Sequence, residues 1–166
     1  MQLGTKGRYA VMALIQLSLS AREKSPTHPI PLSHIAQEQE ISLLYLEQLF
    51  SKLRRYGLVI SIRGAGGGYV LARPAGEISI ADIMDAAGER LRATRCASKD
   101  KEEGCMRNKN RCMVHHLWAS LTDRIYDYLG SVSLEDVAKD AERRHLLNDH
   151  SWGGNLLNES GAVHVS

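Results

Sequence analysis

Three cysteines and one histidine are concentrated in a short stretch of the second half of the chain. Eight residues separate the first two cysteines, six separate the second from the third, and the histidine follows three positions later, all within 20 positions. A helix that begins at the third cysteine would project that thiol and the histidine from one face, while the preceding loop wraps the other two back. The pattern predicts a metal centre, with reduced surface thiols and an ordinary helical histidine as the alternative. The candidate ligands are Cys96, Cys105, Cys112 and His115.

These ligands are compatible with three kinds of centre. A structural zinc ion takes three thiolates and one imidazole in a tetrahedron. A 2Fe-2S cluster accepts histidine among its ligands, and three cysteines with an oxygen ligand suit a 4Fe-4S cluster. Gaps of eight and six residues are looser than the paired cysteines of structural zinc sites. Residues 90–111 carry eight basic against three acidic side chains, which suits an anionic centre and is equally typical of a solvated loop. On a helix, His116 points about 100° away from His115 and is the weaker candidate.

Composition and charge limit the class of protein. At 166 residues, 43% of them hydrophobic, the chain is long enough for one compact domain, or for a small domain with a helical appendage. Residues 1–75 carry 9 Lys and Arg against 4 Asp and Glu, whereas residues 76–166 carry 12 against 15. A basic first half is typical of a phosphate-binding surface and also of a plain solvated one. No run of residues is apolar enough for a membrane span, and neither a secretory cleavage pattern nor an even cysteine count is present, so we expect a cytoplasmic protein.

The first half has the pattern of a helix-turn-helix. Apolar residues recur at helical steps over residues 5–20, with Thr5 as the expected cap. A short helix is predicted over residues 32–39, and after a tight connection Ser42 caps a longer helix that stops at Gly57. The generic alternative is an αα-hairpin with no role in DNA binding. The predicted buried stripe of the longer helix consists of Leu43, Leu46, Leu49, Phe50 and Leu53.

Two short apolar runs around a glycine-rich turn predict a β-hairpin directly after this helix. The runs are residues 58–62 and 69–72, and the turn is residues 64–68. A helix-turn-helix followed by a hairpin is the order of a winged helix, with Arg63 beside the tip of the wing. A nucleotide-binding glycine loop is excluded, because Tyr69 occupies the third fingerprint position and the loop joins two strands instead of leading into a helix.

The second half is predicted to be mostly helical. Ser79 with Asp82 predicts a capping box that opens a helix over residues 80–87, and Gly88 is expected to end it. Residues 89–111 show no hydrophobic period and are predicted to be a loop. A long helix follows, then a short one that Ser133 caps together with Asp136 in the same pattern, then a tail without a period. No nucleophile motif, HExxH pair or nucleotide fingerprint indicates an enzyme. The apolar stripe of the long helix comprises Val114, Leu117, Trp118, Leu121, Ile125, Tyr128 and Leu129.

Six stretches, spread over residues 1 to about 140, match one known pattern. They are Lys-Gly-Arg-Tyr-Ala-Val at 6–11, Ile-Ser-Leu-Leu-Tyr-Leu-Glu-Gln-Leu-Phe-Ser-Lys-Leu-Arg at 41–54, Gly-Leu-Val at 57–59, Arg-Gly-Ala-Gly-Gly-Gly-Tyr at 63–69, Ala-Thr-Arg-Cys at 93–96 and Cys-Met-Val-His-His-Leu-Trp at 112–118. In these stretches the chain resembles the IscR family of iron-sulfur-cluster-dependent winged-helix transcription regulators. It differs from the family pattern in a longer gap between the first two cysteines, in Gly-Ala-Gly where the wing usually has Gly-Pro-Gly, and in Leu44, where a polar residue is common.

The resemblance implies a sensor of iron-sulfur status. Cys96, Cys105, Cys112 and His115 would ligate a 2Fe-2S cluster supplied by the iron-sulfur assembly machinery, and the protein would control the assembly genes as a repressor or activator. A histidine ligand makes a cluster easier to lose, because imidazole leaves as a neutral group, and the loss is the signal. The alternatives are a zinc-stabilised winged-helix repressor and a related regulator that senses nitric oxide with a 4Fe-4S cluster.

The resemblance also implies a homodimer. The expected fold is mainly α with a small β-hairpin wing, a winged helix-turn-helix plus a long C-terminal dimerisation helix. We expect a DNA-binding domain over residues 1–88, a metal- or cluster-binding loop over 89–112, dimerisation helices over 113–145 and a disordered tail over 146–166. Packing within one chain is the alternative for part of the dimerisation stripe. The residues expected in the dimer interface are Leu117, Leu121, Ile125 and Leu129.

The longer helix of the helix-turn-helix is the expected reader of a pseudo-palindromic duplex. Glu47 can accept from cytosine N4 and Gln48 can pair with adenine, whereas Ser42 and Tyr45 can contact phosphates. Arg63 is expected in a minor groove. For each of these side chains, the alternative is an ordinary solvated surface residue with no role in binding DNA. The residues expected to meet phosphates at the far end of the helix are Lys52, Arg54 and Arg55.

Overall fold

A computed structural model describes residues 4–23, 25, 27–89, 106 and 110–146 of the chain. Within them, six helices surround one two-stranded antiparallel sheet, so the predicted mainly α class with a small hairpin is confirmed. None of the helices described is long and apolar enough to cross a bilayer. The elements are α1 (Thr5–Glu23), α2 (Leu32–Glu38), α3 (Leu43–Arg55), β1 (Val59–Ile62), β2 (Gly68–Leu71), a 3₁₀ turn (Ala75–Glu77), α4 (Ile80–Ala87), α5 (His115–Ser131) and α6 (Leu134–Leu146).

Several predicted features lie outside the described residues. They are Cys96 and Cys105, most of the predicted loop over residues 89–111, and residues 147–166 of the predicted tail.

Helix α1 packs against α4 and α6 and extends beyond its predicted end. It continues to Glu23 because no helix breaker precedes Pro26 in the sequence. The prediction that Thr5 caps the helix is wrong, since Thr5 is already helical and the carbonyl of Gly4 accepts from the N–H of Arg8 at 3.4 Å. The buried side of α1 is formed by Ala10, Ala13, Leu14 and Leu17.

Helices α2 and α3 form the predicted helix-turn-helix. Glu40 takes a positive φ of 51° in the turn and Ile41 is buried there. Ser42 is the N-cap of α3 as predicted, although its side chain makes no capping hydrogen bond, and Gly57 ends the helix region with a φ of 80°. Leu43 is 41% exposed, so its predicted place in the buried stripe is wrong. The stripe that is buried consists of Leu46, Leu49, Phe50 and Leu53.

The hairpin is joined to the segment before α2. Val59 pairs with Leu71 and Ile62 with Gly68, as expected of a tight antiparallel ladder. An isolated bridge adds Ile30 to the other side of β2: its N–H donates to the Tyr69 carbonyl at 3.0 Å, and its carbonyl accepts from the Tyr69 N–H at 2.9 Å. The wing is thereby anchored to the helix-turn-helix.

The C-terminal helices return to the winged helix. Both predicted capping boxes are present, one at Ser79 with Asp82 and one at Ser133 with Asp136. Leu134, the first residue of α6, is fully buried and donates its N–H to the Ile78 carbonyl at 2.8 Å. α6 also packs along α1. The helical pair α5 and α6 is therefore continuous with the core of the winged helix.

Candidate nucleic-acid interface and metal centre

The solvent face of α3 carries the side chains predicted to read DNA. Successive helical residues are rotated by about 100°, so positions 44, 47, 48, 51 and 55 fall on one face, opposite the buried stripe. Glu47 and Gln48 are exposed on this face, and Ser42 is exposed at its N-terminal edge. These are the positions from which a helix inserted into a major groove reaches base edges.

Tyr45 is placed differently from its neighbours. Its ring is half-buried, packs against the core and meets the ring of Tyr9 edge-on, with centroids 5.7 Å apart. This packing is sufficient to explain an aromatic residue here, and the predicted phosphate contact of Tyr45 stays a prediction.

The basic residues gather at the other end of α3 and at the wing. Arg54 and Arg55 are exposed in the last turn, whereas Lys52 is half-buried. Arg54 donates from Nη1 to the Ser61 hydroxyl of β1 at 3.4 Å, which connects α3 to the hairpin. Arg63 is exposed where the glycine turn begins. The cations therefore flank the polar face of α3 on the side of the hairpin, as a surface that follows phosphates would require.

An apolar residue on the polar face of α3 had no predicted role. Leu44 lies in the first turn and is 66% exposed. The exposure of Leu44 could have been predicted from the sequence, because the periodicity that buries Leu46 and Leu49 excludes position 44 from the buried stripe.

Two of the four predicted metal ligands, Cys112 and His115, are described. Cys112 is half-buried and precedes α5, so the prediction that it opens the helix is wrong. Residues 113 and 114 form a turn instead, and the N–H of His115 donates to the Cys112 carbonyl at 3.0 Å. The turn keeps the thiol-bearing residue beside the first residue of α5. The other two predicted ligands lie outside the described residues. Within the described part of the chain, no group of three His, Cys, Asp or Glu side chains suited to a metal is found.

The imidazole of His115 has a ring nitrogen whose environment suits a metal ligand. Its Nδ1 is shielded from solvent and has no hydrogen-bond partner among the described residues. A shielded polar nitrogen without a partner is costly, and in a native protein such a group requires an explanation, of which a bound ion is one. A metal beside Cys112 would supply that partner, so thiolate and imidazole donors fit a metal or an iron-sulfur cluster here.

The predicted dimer stripe of α5 divides into two parts. Leu117 is 60% and Leu121 40% exposed, whereas Ile125 and Leu129 are half-buried against the core of the same chain. The second half of the helix is drawn inward because α5 packs on α4, where the Tyr126 hydroxyl donates to Asp85 at 2.9 Å. Packing within one chain thus uses the last two residues of the stripe and leaves the first two uncovered.

The residues just before the predicted cluster loop lie against the start of the chain and against α3. The Glu89 carboxylate accepts from the Gly4 N–H at 3.0 Å. A Cβ on Gly88, which ends α4 with a φ of 75°, would lie 3.9 Å from Lys52 Nζ of the recognition helix. The end of α4 therefore adjoins both α1 and α3.

Comparison with known proteins relates this arrangement to a family of regulators. The family model Rrf2, described as an iron-dependent transcriptional regulator, matches residues 3–140. The chain is similar to the HTH-type transcriptional regulator IscR of Xenorhabdus nematophila, with 49% identity over 142 residues, 86% of this chain and 82% of that protein. The corresponding protein of Photorhabdus laumondii is 47% identical over the same shares of both chains.

Solved structures show the same likeness. A structure of T. potens IscR matches with a TM-score of 0.67 at 33% identity, covering 92% of this chain and 94% of that one. CymR, the global cysteine regulator of B. subtilis, matches with a TM-score of 0.65 at 35% identity, covering 84% and 98%. The winged-helix fold is common to these regulators.

Proposed function

Because the chain belongs to the Rrf2 family of iron-dependent transcriptional regulators, we propose that it binds pseudo-palindromic duplex DNA as a homodimer and senses iron-sulfur status through a 2Fe-2S cluster. Like its relatives, it is a transcription regulator and not an enzyme. With DNA as its partner, it acts in the cytoplasm. The genes that we propose it controls are those of iron-sulfur cluster assembly, whose machinery supplies the cluster.

The solvent face of α3 supports the proposed contact with DNA. Its exposed Glu47 and Gln48 are followed by the basic residues Arg54 and Arg55 and flanked by Arg63 of the wing. In the proposed complex the polar side chains meet base edges and the basic ones meet phosphates, with Lys52 among the latter. Each phosphate contact releases counterions, and a homodimer loses two contacts when one arginine is changed to glutamine. Each such change is therefore expected to make the negative slope of log affinity against log salt shallower by about 2.

Glu47 is proposed to select the operator. A carboxylate in a groove lined by phosphates is repelled unless it finds a donor such as cytosine N4. Glu47 therefore excludes operators that lack such a donor, and the cluster state biases its placement. Glu47→Ala is expected to broaden binding across operators in which the cytosines are substituted one at a time. Unchanged relative affinities in this variant would remove the role assigned to Glu47.

The uncovered part of α5 supports the proposed homodimer. Leu117 and Leu121 are both substantially exposed on one face of the helix, and Ile125 and Leu129 continue that face where it enters the core. Two such helices crossing would cover the exposed pair and set the spacing of two recognition helices on the duplex. Leu117→Glu with Leu121→Glu is expected to shift the protein from dimer to monomer in sedimentation, while Asp123→Ala, on an exposed position of the same helix, leaves the dimer unchanged.

The Nδ1 of His115 is shielded and has no hydrogen-bond partner within the described ranges, and this is the observation that carries the proposed sensing function. His115 and Cys112 would hold the cluster from the start of α5, with Cys96 and Cys105 reaching it from the segment between α4 and α5. A bound cluster would supply a labile anionic centre, and its loss would signal that iron-sulfur clusters are scarce. Because the first residue of α5, His115, is one of the proposed ligands, loss of the cluster would change the contacts at the start of that helix.

The identity of the metal centre can be tested on protein purified without air. We expect a red-brown sample with about two iron and two acid-labile sulfide per chain. A colourless zinc protein, or about four iron per chain, would replace the 2Fe-2S assignment with one of its two alternatives. His115→Ala is expected to lose the iron, His115→Cys to keep it, and the exposed neighbour His116→Ala to behave like the parent.

A further inference from the structure

Leu44 is the outlier on the recognition helix. It lies at the centre of the solvent face of α3, which Glu47, Gln48 and Arg55 otherwise make polar. Its side chain is 66% exposed, more than that of its neighbour Leu43 at 41%. The fold does not need an apolar group here, since the buried stripe of α3 is on the opposite face and is complete without it.

The position of Leu44 within α3 decides what it can reach. It is the second residue of the helix, one turn ahead of Gln48. In a helix-turn-helix the N-terminal turn of the recognition helix is the part that contacts base edges. An aliphatic side chain at that point has one complementary group on the floor of a major groove, the C5 methyl of thymine.

The charges around Leu44 distinguish a nucleic-acid occupant from a protein one. An apolar protein contact usually has a core from which charged residues are depleted. Leu44 instead has Glu47 and Gln48 directly beside it, and the basic residues Arg54 and Arg55 continue along the same helix. Cations at one end and hydrogen-bonding groups at the other are the complement of a duplex, in which phosphates border the base edges.

We infer that Leu44 determines sequence specificity by packing against the methyl group of a thymine in each half-site of the operator. This inference rests on the proposed DNA-binding function and adds a base preference to it. The contact distinguishes thymine from cytosine at that position without a hydrogen bond, because only thymine carries the methyl group. Burial of one methyl group is worth about fourfold in affinity, so about 16-fold is expected when both half-sites lose it.

Deoxyuridine provides the test, because it pairs as thymine does and lacks only the methyl group. The full-length protein first selects duplexes from a random 40-base-pair library. Anisotropy titrations at fixed salt then measure its affinity for the selected duplex, with thymines replaced by deoxyuridine one symmetric pair at a time. We expect one pair whose replacement weakens binding by about 16-fold, and less than twofold in Leu44→Ser.

Leu43→Ser is the matched control, since it removes the same group from the adjacent residue at the edge of the face. It is expected to keep the full dependence on that thymine pair, and equal melting temperatures of the three proteins exclude a folding defect. If no pair is sensitive, or if Leu44→Ser keeps the sensitivity, the inference is overturned while DNA binding stands. If no duplex is selected at all, the proposed function fails and the inference fails with it.

Discussion

Replacing Gly68 with alanine is expected to separate the wing from the segment that precedes α2. Gly68 is the first residue of β2, and a Cβ added there would lie 2.4 Å from both the carbonyl carbon and the oxygen of Ile30, and 2.8 Å from the Pro31 nitrogen. All three atoms belong to the backbone and cannot rotate away. The strand or the Ile30 segment must therefore move by about an ångström to restore normal carbon contacts.

The cost of that movement follows from what joins the two segments. Ile30 and Tyr69 exchange two backbone hydrogen bonds of 2.9 and 3.0 Å, directly beside Gly68. Weakening both costs about 1 kcal/mol each, and the steric strain adds about 1–3 kcal/mol. We expect a total of about 3–5 kcal/mol, which corresponds to a fall in Tm of about 6–20 °C for a chain of this size.

Thermal and guanidinium unfolding at one protein concentration measure the effect, with Gly130→Ala as the matched control. Gly130 lies in α5, and a Cβ there would meet nothing within 4 Å, so alanine should stabilise that helix by up to about 1 kcal/mol. The same chemical change is thus expected to have opposite signs at the two positions. A Gly68→Ala variant within about 0.5 kcal/mol of the parent would refute the steric reasoning.

Three further changes probe how the C-terminal helices are attached. Leu134→Ala, at a fully buried position, should lower the free energy of unfolding by about 2–5 kcal/mol in guanidinium titrations, and a loss below 1 kcal/mol would contradict its place in the core. The pKa of Asp136 is lowered because the hydroxyl and backbone N–H of Ser133 donate to its carboxylate. The stability that this lowered pKa contributes is present above the ordinary carboxyl pKa of about 4 and is lost as the pH falls towards the pKa of the folded state. Asp136→Asn should therefore lose less free energy of unfolding than the parent on acidification, and parallel curves of that free energy against pH would refute this. Tyr126→Phe removes the hydrogen bond to Asp85 and should cost about 0.5–1.5 kcal/mol, non-additively with Asp85→Ala, which removes the acceptor; additive effects would show that the bond contributes nothing.

Features set by chemistry between neighbouring residues could be predicted from the sequence. The capping boxes at Ser79 and Ser133 require a hydroxyl and a carboxylate three residues apart, and both are present in the structure. Gly57 and Gly88 were predicted to end helices, and both have positive φ. Such signals are complete within one turn of chain, so no tertiary contact is needed to interpret them.

Features that depend on distant partners could not be predicted in the same way. Periodicity placed Leu43 in the buried stripe of α3, but it cannot decide where the edge of a stripe lies, because that depends on what packs opposite. It likewise grouped Leu117 with Leu129, which the packing of α5 on α4 separates into an exposed and a half-buried residue. The bridge of Ile30 to Tyr69 joins segments 39 positions apart in the sequence and has no local signal at all.

The segment between α4 and α5, from which the proposed cluster ligands come, is attached to α4 at both of its ends. Its N-terminal end follows Glu89, whose N–H donates to the Met84 carbonyl of α4 at 2.9 Å and whose carboxylate accepts from Gly4, directly before α1. Its C-terminal end leads into α5, which is bonded back to α4 through Tyr126 and Asp85. Since α4 packs against both α1 and α3, a change in that segment would reach α3 through α4, whichever end moved. The proposed sensing in one half of the chain and the proposed DNA reading in the other would thus require no direct contact between the proposed cluster and α3.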